Sequence, residues 1–263
     1  LTGMSGALQQ YAAAVGGIVA DHDGYLVYAG GDDALAMLPL IKALACACQL
    51  RKRFPDFRNG CNTAAAPTLS TGLAIVHHAY DLRGALRAAR AAEERAKEMG
   101  RNALGIALVK RSGAPVNLVV DWSMVPRMLE LQRLFEAGLS DRWLNKVAQD
   151  IPALLNWVVP RGAASCLIGY ATKGLQLNEQ QKVAVAWELS CDAERAEEEA
   201  RQFVAQFWDE VWDRLAARHR LVPRSHPLAA ECPLEDQTSF PAAALRQFVA
   251  LGQVVSFLTR GRD

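Results

Sequence analysis

The sequence lacks several features that would assign a protein class directly. Its 29 basic and 28 acidic residues leave a net charge of +1, which argues against extensive independent binding of nucleic acid. Six cysteines are scattered along the chain without a Cys-x-x-Cys pair, so we expect reduced thiols and no zinc site. The apolar runs are far shorter than a membrane span, and no secretory signal is visible. We therefore expect a cytoplasmic protein without a membrane segment.

Hydrophobic residues make up 51% of the 263-residue chain, enough for one large domain or two ordinary ones. In the first part of the chain, their spacing switches between helix and strand periods. It predicts a helix over 4–20, a hairpin over 25–38, a helix that begins at Pro39, a strand over 68–76, a helix over 82–99 and a strand over 102–110. The later spacing is helical throughout, over 123–137, 141–158, 178–190, 192–220 and 241–259. We predict an α/β (α+β) domain over 1–118 and an all-α interaction domain over 119–263.

The predicted hairpin contains Gly30-Gly31-Asp32-Asp33 between two apolar strands. Glycine accepts a positive φ without a Cβ clash, so the glycine pair suits a tight turn that places both carboxylates at or just beyond its tip. Adjacent carboxylates repel each other unless water or a cation screens them. Magnesium held by carboxylates and nucleotide phosphates is a common reason for this arrangement. The glycines would also leave room for a triphosphate.

The same four residues are equally typical of a solvated turn, because Gly and Asp are ordinary turn residues. The tetrapeptide alone does not separate the two interpretations. Its setting favours the functional one, because the predicted elements around it follow the order α-β-β-α-β-α. That order is the palm arrangement used by nucleotide polymerases and cyclases.

Polar residues outside the hairpin allow both a functional and a structural interpretation. Ser70 and Gly72 share one face of the predicted strand, which leaves space either for a base or ribose or for a closely packed helix. Lys97 lies in the last turn of its helix, where it either complements the helix dipole or reaches phosphate oxygens. His77 and His78 end the strand. Because adjacent strand residues point to opposite faces, we do not expect one metal ion to bind both.

Three blocks of sequence follow one another over roughly residues 3–115. They are Leu26-Val27-Tyr28-Ala29-Gly30-Gly31-Asp32-Asp33-Ala34-Leu35-Ala36 with Leu38-Pro39-Leu40, then Leu69-Ser70-Thr71-Gly72-Leu73-Ala74-Ile75-Val76-His77-His78, then Ala96-Lys97 followed by Gly100-Arg101-Asn102. Together they resemble the second palm domain in the large subunit of type III CRISPR effector complexes, especially of the III-B (Cmr) branch. The resemblance implies a ferredoxin-like palm followed by a helical C-terminal domain.

The resemblance also implies an activity. Such subunits convert ATP into cyclic oligoadenylates when their complex binds target RNA. Carried over by position, Asp32 and Asp33 would bind two magnesium (or manganese) ions that activate a 3′-hydroxyl and stabilise the α-phosphate. Gly30 and Gly31 would let the nucleotide approach the backbone.

The resemblance assigns two further contacts and a set of partners. Ser70 would contact a base or ribose, and Lys97 would contact a phosphate. The implied partners are ATP, the other type III effector subunits, guide RNA and target RNA, in a prokaryotic cytoplasm.

The sequence departs from the family pattern at its beginning. A complete palm has a further strand before the helix at 4–20, and that strand carries another metal-binding acid. We therefore expect an incomplete catalytic site unless another chain supplies the rest. Two alternatives stay open: a structural palm subunit of a ribonucleoprotein without catalysis, and a nucleotidyl cyclase outside CRISPR. GGDEF diguanylate cyclases share the palm but usually carry Glu where Asp33 stands.

Overall fold

The computed structural model describes residues 2–55, 67–111, 115–154, 161–219 and 240–259, which fall into two units. The first unit contains the described residues up to Pro126, and the second contains those from Arg127 onward. The first is mixed α/β and the second is helical, which confirms the predicted fold class. The predicted division at 118 falls inside a strand that pairs within the first unit.

The elements of the first unit follow the predicted order and add one strand. They are α1 (Thr2–Asp21), β1 (Tyr25–Gly30), β2 (Asp33–Met37), a 3-10 turn (Leu40–Lys42), α2 (Ala43–Arg53), β3 (Thr71–Ile75), α3 (Leu82–Glu98), β4 (Ala103–Leu108) and β5 (Val116–Asp121).

The hairpin of β1 and β2 packs on helix α1. The strands are antiparallel, and a bulge between Leu26 and Tyr28 shifts their register. Leu26 and Ala29 turn toward a core that includes Tyr11 and Val15 of α1. Since the bulge adds one residue to β1, Leu26 and Ala29 share a face although they are three positions apart. Tyr28, next to Ala29, points to the opposite face. One face of the hairpin is therefore covered by α1, and the other carries exposed side chains.

The second sheet has the order β3-β4-β5, with β3 parallel to β4 and β5 antiparallel to it. Every residue of β4 is buried, as expected for a central strand covered by a helix. The expected ferredoxin-like sheet includes a further strand before α1. Among the described residues none precedes α1, and β1 and β2 do not pair with β3.

Cys46 lies in the α1–α2 core with no solvent exposure. Burial raises the pKa of its thiol from 9.0 to about 11. At pH 8 its thiolate fraction is then about a hundredfold below that of an ordinary thiol, and burial slows alkylation further. We expect iodoacetamide to modify the exposed Cys166 readily and to leave Cys46 unmodified at pH 8, by peptide mass spectrometry. Equal modification rates would contradict the closed packing of α1 on α2.

The second unit consists of helices. They are α4 (Val125–Glu136, which begins two residues before the unit boundary), α5 (Arg142–Leu154), α6 (Arg161–Thr172), α7 (Glu179–Leu189), α8 (Ala196–His219, after a 3-10 turn) and α9 (Phe240–Thr259). The predicted ends at 158 and 220 lie outside the described residues. Among the residues that the structure describes, no helix combines the length and apolarity needed to cross a bilayer.

Helix α6 was not predicted, because its sequence Arg-Gly-Ala-Ala-Ser-Cys-Leu-Ile-Gly-Tyr-Ala-Thr has few large apolar residues to show a period. Tertiary packing stabilises it instead. Ile168 and Thr172 are buried, and the Thr172 hydroxyl donates to the Ile168 carbonyl at 2.9 Å. From the same helix, Ser165 accepts a hydrogen bond from Trp208 Nε1 of α8 at 3.1 Å.

Candidate active site

The two adjacent carboxylates lie at the tip of the hairpin, as predicted. Gly30 pairs with Asp33, so Gly31 and Asp32 are the two residues of the turn. Gly31 has a φ of 62°, as the first central residue of a type I′ or II′ turn requires, and it has no neighbour in the space a Cβ would occupy. Asp32 and Asp33 are both exposed to solvent. Local backbone chemistry therefore presents both carboxylates at one exposed end of the hairpin.

The side chain of Tyr28 lies against Gly30, a contact that was not predicted from the sequence. A Cβ on Gly30 would lie 2.5 Å from the hydroxyl oxygen of Tyr28. The phenol end of Tyr28 therefore rests against Gly30, beside the strand position that Asp33 occupies. Tyr28 keeps 57% of its surface exposed, so one face of its ring is open next to the carboxylates. Tyr28 and Gly30 are two positions apart in the strand and so share a face.

Helix α3 carries a cation, Lys97, whose pKa is affected by a carboxylate of the hairpin tip. Its first turn is capped by Asp81, whose carboxylate accepts from Gly84 N at 2.8 Å, and it ends before Gly100 at a φ of 101°. Lys97, in the last turn, donates to Glu93 Oε1 at 2.7 Å. This bond and the charges of Glu93, Glu94 and Asp33 raise the pKa of Lys97, against an opposing effect of desolvation. Lys97 is thus within electrostatic range of the hairpin tip.

Two glycines set the distance between α3 and the sheet. Gly72 of β3 and Gly105 of β4 are paired in the parallel ladder. A Cβ on Gly72 would lie 2.0 Å from the carbonyl oxygen of Ala89, and one on Gly105 would lie 1.9 Å from that of Ala92. Both distances are far inside van der Waals contact, so only glycine lets the helix approach this closely. Of the two interpretations of Gly72, the closely packed helix is the one that the structure shows.

Ser70 precedes the strand in which it was predicted. The strand predicted over 68–76 is formed only by Thr71–Ile75, the segment that pairs with β4. The carbonyl of the preceding Leu69 accepts a hydrogen bond from Trp122 Nε1 at 2.9 Å, which holds this approach to β3 in place. A contact from Ser70 to a base or ribose stays a prediction.

The expectation for the histidine pair was wrong about geometry. His77 and His78 lie beyond the end of β3 rather than in it, so strand alternation does not separate them. Their ring centroids are 4.0 Å apart. Partial desolvation and the charges of Arg111 and His78 lower the pKa of His77, whose Nδ1 accepts a hydrogen bond from Ala79 N at 3.1 Å. The two rings are tilted by 39° to each other in the segment beyond β3.

The hairpin carboxylates fit a divalent cation as part of its ligand set. Within the described part of the chain, no three His, Cys, Asp or Glu side chains are grouped closely enough to hold a metal ion. Asp32 and Asp33 supply hard carboxylate oxygens, which suit Mg²⁺ or Mn²⁺. Magnesium commonly binds through one or two carboxylates and completes its coordination with water and substrate phosphates. The two residues therefore fit as part of the ligand set of a metal that arrives with a nucleotide.

Comparison with known proteins shows which protein family the first part of the chain matches. Residues 1–105 match the family model of the Cas10/Cmr2 second palm domain. The first 105 residues are a second palm domain of the Cas10/Cmr2 type. Over 110 residues, 41% of this chain, the sequence is 42% identical to the CRISPR system Cmr subunit Cmr2 of Pyrococcus furiosus. The match covers 12% of that relative, so the chain spans a small part of its length.

The family match confirms the predicted resemblance to the Cmr branch of type III large subunits. The matched segment of the second palm domain ends inside β4, at residue 105. It thus contains the hairpin with Asp32 and Asp33, the strand β3, and the whole of α3 with Lys97. All the residues predicted for the site lie within it.

Proposed function

We propose that this second palm domain is the catalytic part of a type III CRISPR effector that synthesises cyclic oligoadenylates from ATP when target RNA is bound. The observation that supports the proposal most is the pair of exposed carboxylates, Asp32 and Asp33, at the hairpin tip of a matched palm segment. Lys97 of α3 lies within electrostatic range of Asp33, whose charge is the smallest of the causes that raise the pKa of Lys97.

The charges of the site favour a metal-bound nucleotide. Asp32, Asp33, Glu93 and Glu94 are acidic, and Glu93, Glu94 and Asp33 raise the pKa of the cation Lys97. A free triphosphate would meet net repulsion from these carboxylates, whereas a nucleotide with a divalent cation would not. When bound, such a cation activates the attacking hydroxyl and neutralises charge on the reacting phosphate. Asp32 and Asp33 are the residues that would hold it.

The residues of the chain have separate roles in this reaction. The 3′-oxygen of one nucleotide bonds to the α-phosphorus of the next, its proton is released, and the bond to the β-phosphate breaks to release pyrophosphate. Lys97 would bind phosphate oxygens through its ammonium group. Ser70 would contact a base or ribose through its hydroxyl, and the exposed ring of Tyr28 would contact the nucleoside. Gly31, with its open side, admits the phosphates near the backbone.

Product analysis of the assembled complex tests the proposal. The chain, assembled with its partner subunits and guide RNA, is incubated with ATP and Mg²⁺, with and without complementary target RNA. We expect cyclic oligoadenylates, identified by mass spectrometry, only in the presence of target RNA. A complex that binds target RNA and forms no nucleotide product would show that the palm is structural. A cyclic dinucleotide formed from GTP would instead show a cyclase outside CRISPR.

A further inference from the structure

Glu93 lies where the backbone of α3 packs directly against Gly72 of β3. A Cβ on Gly72 would meet the backbone nitrogen of Glu93 at 2.6 Å and its Cβ at 2.9 Å. The base of the Glu93 side chain is therefore packed directly over β3. Two residues further along the chain, Arg95 donates from Nη1 to Asn117 Oδ1 of β5 at 2.9 Å. The packing against Gly72 and the hydrogen bond of Arg95 together fix the part of α3 that carries Glu93, the ion-pair partner of Lys97.

The Lys97 ammonium has an anionic partner in the absence of a nucleotide. Its bond to Glu93 measures 2.7 Å, and the two side chains are only 38% and 34% exposed. A phosphate oxygen that binds Lys97 must therefore share the ammonium with Glu93 or displace it. The same carboxylate also repels the incoming phosphate, because both carry negative charge.

We propose that Glu93 is a positioning residue that holds Lys97 toward the hairpin tip and competes with the nucleotide phosphates for its ammonium group. The proposal rests on the phosphate-binding role of Lys97 in the proposed function. Glu93 would thereby keep the affinity for ATP low and make binding depend on the accompanying divalent cation. A purely structural role is the alternative, since a Glu–Lys pair four residues apart stabilises a helix by itself.

Measurements on Glu93→Gln in the assembled complex separate these roles. We expect the dissociation constant of a non-hydrolysable ATP analogue, with Mg²⁺ present, to fall by about three- to tenfold, the size of a partly exposed ion-pair effect. KM for ATP should fall in parallel with little change in kcat. Glu98→Gln is the matched control, because it removes one exposed charge from the same helix without being among the groups that shift Lys97.

A double-mutant cycle shows whether the effect passes through Lys97. In the Lys97→Met background, Glu93→Gln should lose most of its effect on analogue binding. Unchanged or weaker binding in Glu93→Gln, in a complex that still forms product, would overturn the inference and leave the proposed function intact. Absence of product from the unmodified complex would overturn the proposed function instead. Analogue binding would still report on Glu93 in that case, because it does not require turnover.

Discussion

Replacing Asp32 and Asp33 together by Asn should reduce synthesis of cyclic oligoadenylates by at least about a thousandfold. The loss corresponds to several kcal/mol of transition-state stabilisation, the contribution expected of a bound metal ion. Asn preserves the size of each side chain and its tolerance for turn conformations, so the hairpin should still form. The measurement is product formation by the assembled complex with ATP, Mg²⁺ and target RNA.

The matched control is Asp23→Asn at the other end of the hairpin. Asp23 is an exposed acid with a φ of 56°, a conformation that Asn also adopts, and it precedes β1 rather than the tip. It should leave product formation unchanged. Assembly of the complex should survive in both variants. If the tip variant failed to assemble, the hairpin would be mainly structural, and if it assembled with full activity, the two carboxylates would not be catalytic.

Gly105→Ala should destabilise the first unit by about 2–4 kcal/mol, because one methyl group would lie 1.9 Å from the Ala92 carbonyl oxygen. The oxygen belongs to a helix backbone, which cannot rotate away as a side chain can. Either α3 must lift from the sheet, or β4 must move under it. Hydrogen exchange of the β4 amides is the appropriate measurement, because it reports on this unit separately from the helical one.

Gly17→Ala provides the control for Gly105→Ala. Gly17 lies inside α1, and a Cβ there would meet nothing within 4 Å. Alanine is favoured over glycine within a helix, so this variant should be neutral or stabilise by up to about 1 kcal/mol. Gly72→Ala should behave like Gly105→Ala, because its methyl group would lie 2.0 Å from the Ala89 carbonyl oxygen. Unchanged exchange in Gly105→Ala would show that α3 does not pack as closely as described.

Features that depend on a few neighbouring residues could be predicted from the sequence. The turn at Gly31 needs a positive φ, which glycine supplies, and the apolar strands on both sides determine that a hairpin forms there. The helix α3 has its cap at Asp81 and its end before Gly100, and its predicted range differs from the observed one by a single residue. These signals depend only on neighbouring residues, so they do not change with the way the rest of the chain packs.

Features that depend on pairing between distant segments could not be predicted in this way. The strand β5 was missed, because its short apolar run becomes a strand only by pairing with β4. The histidine pair was placed on opposite faces, because the strand was expected to continue past Ile75. The bulge in β1, which lets Leu26 and Ala29 face the same core, was also missed, because it depends on how β1 pairs with β2.

The sequence by itself determined the order of the elements in the first unit, the hairpin with Asp32 and Asp33 at its tip, and the family resemblance. Only the tertiary structure shows that Lys97 lies within electrostatic range of Asp33 and forms an ion pair with Glu93. The physical reason is the close approach of α3 to the sheet. Gly72 and Gly105 permit this approach. It could not be predicted from the sequence, because the contacts between the helix backbone and the strands form only when the two pack together.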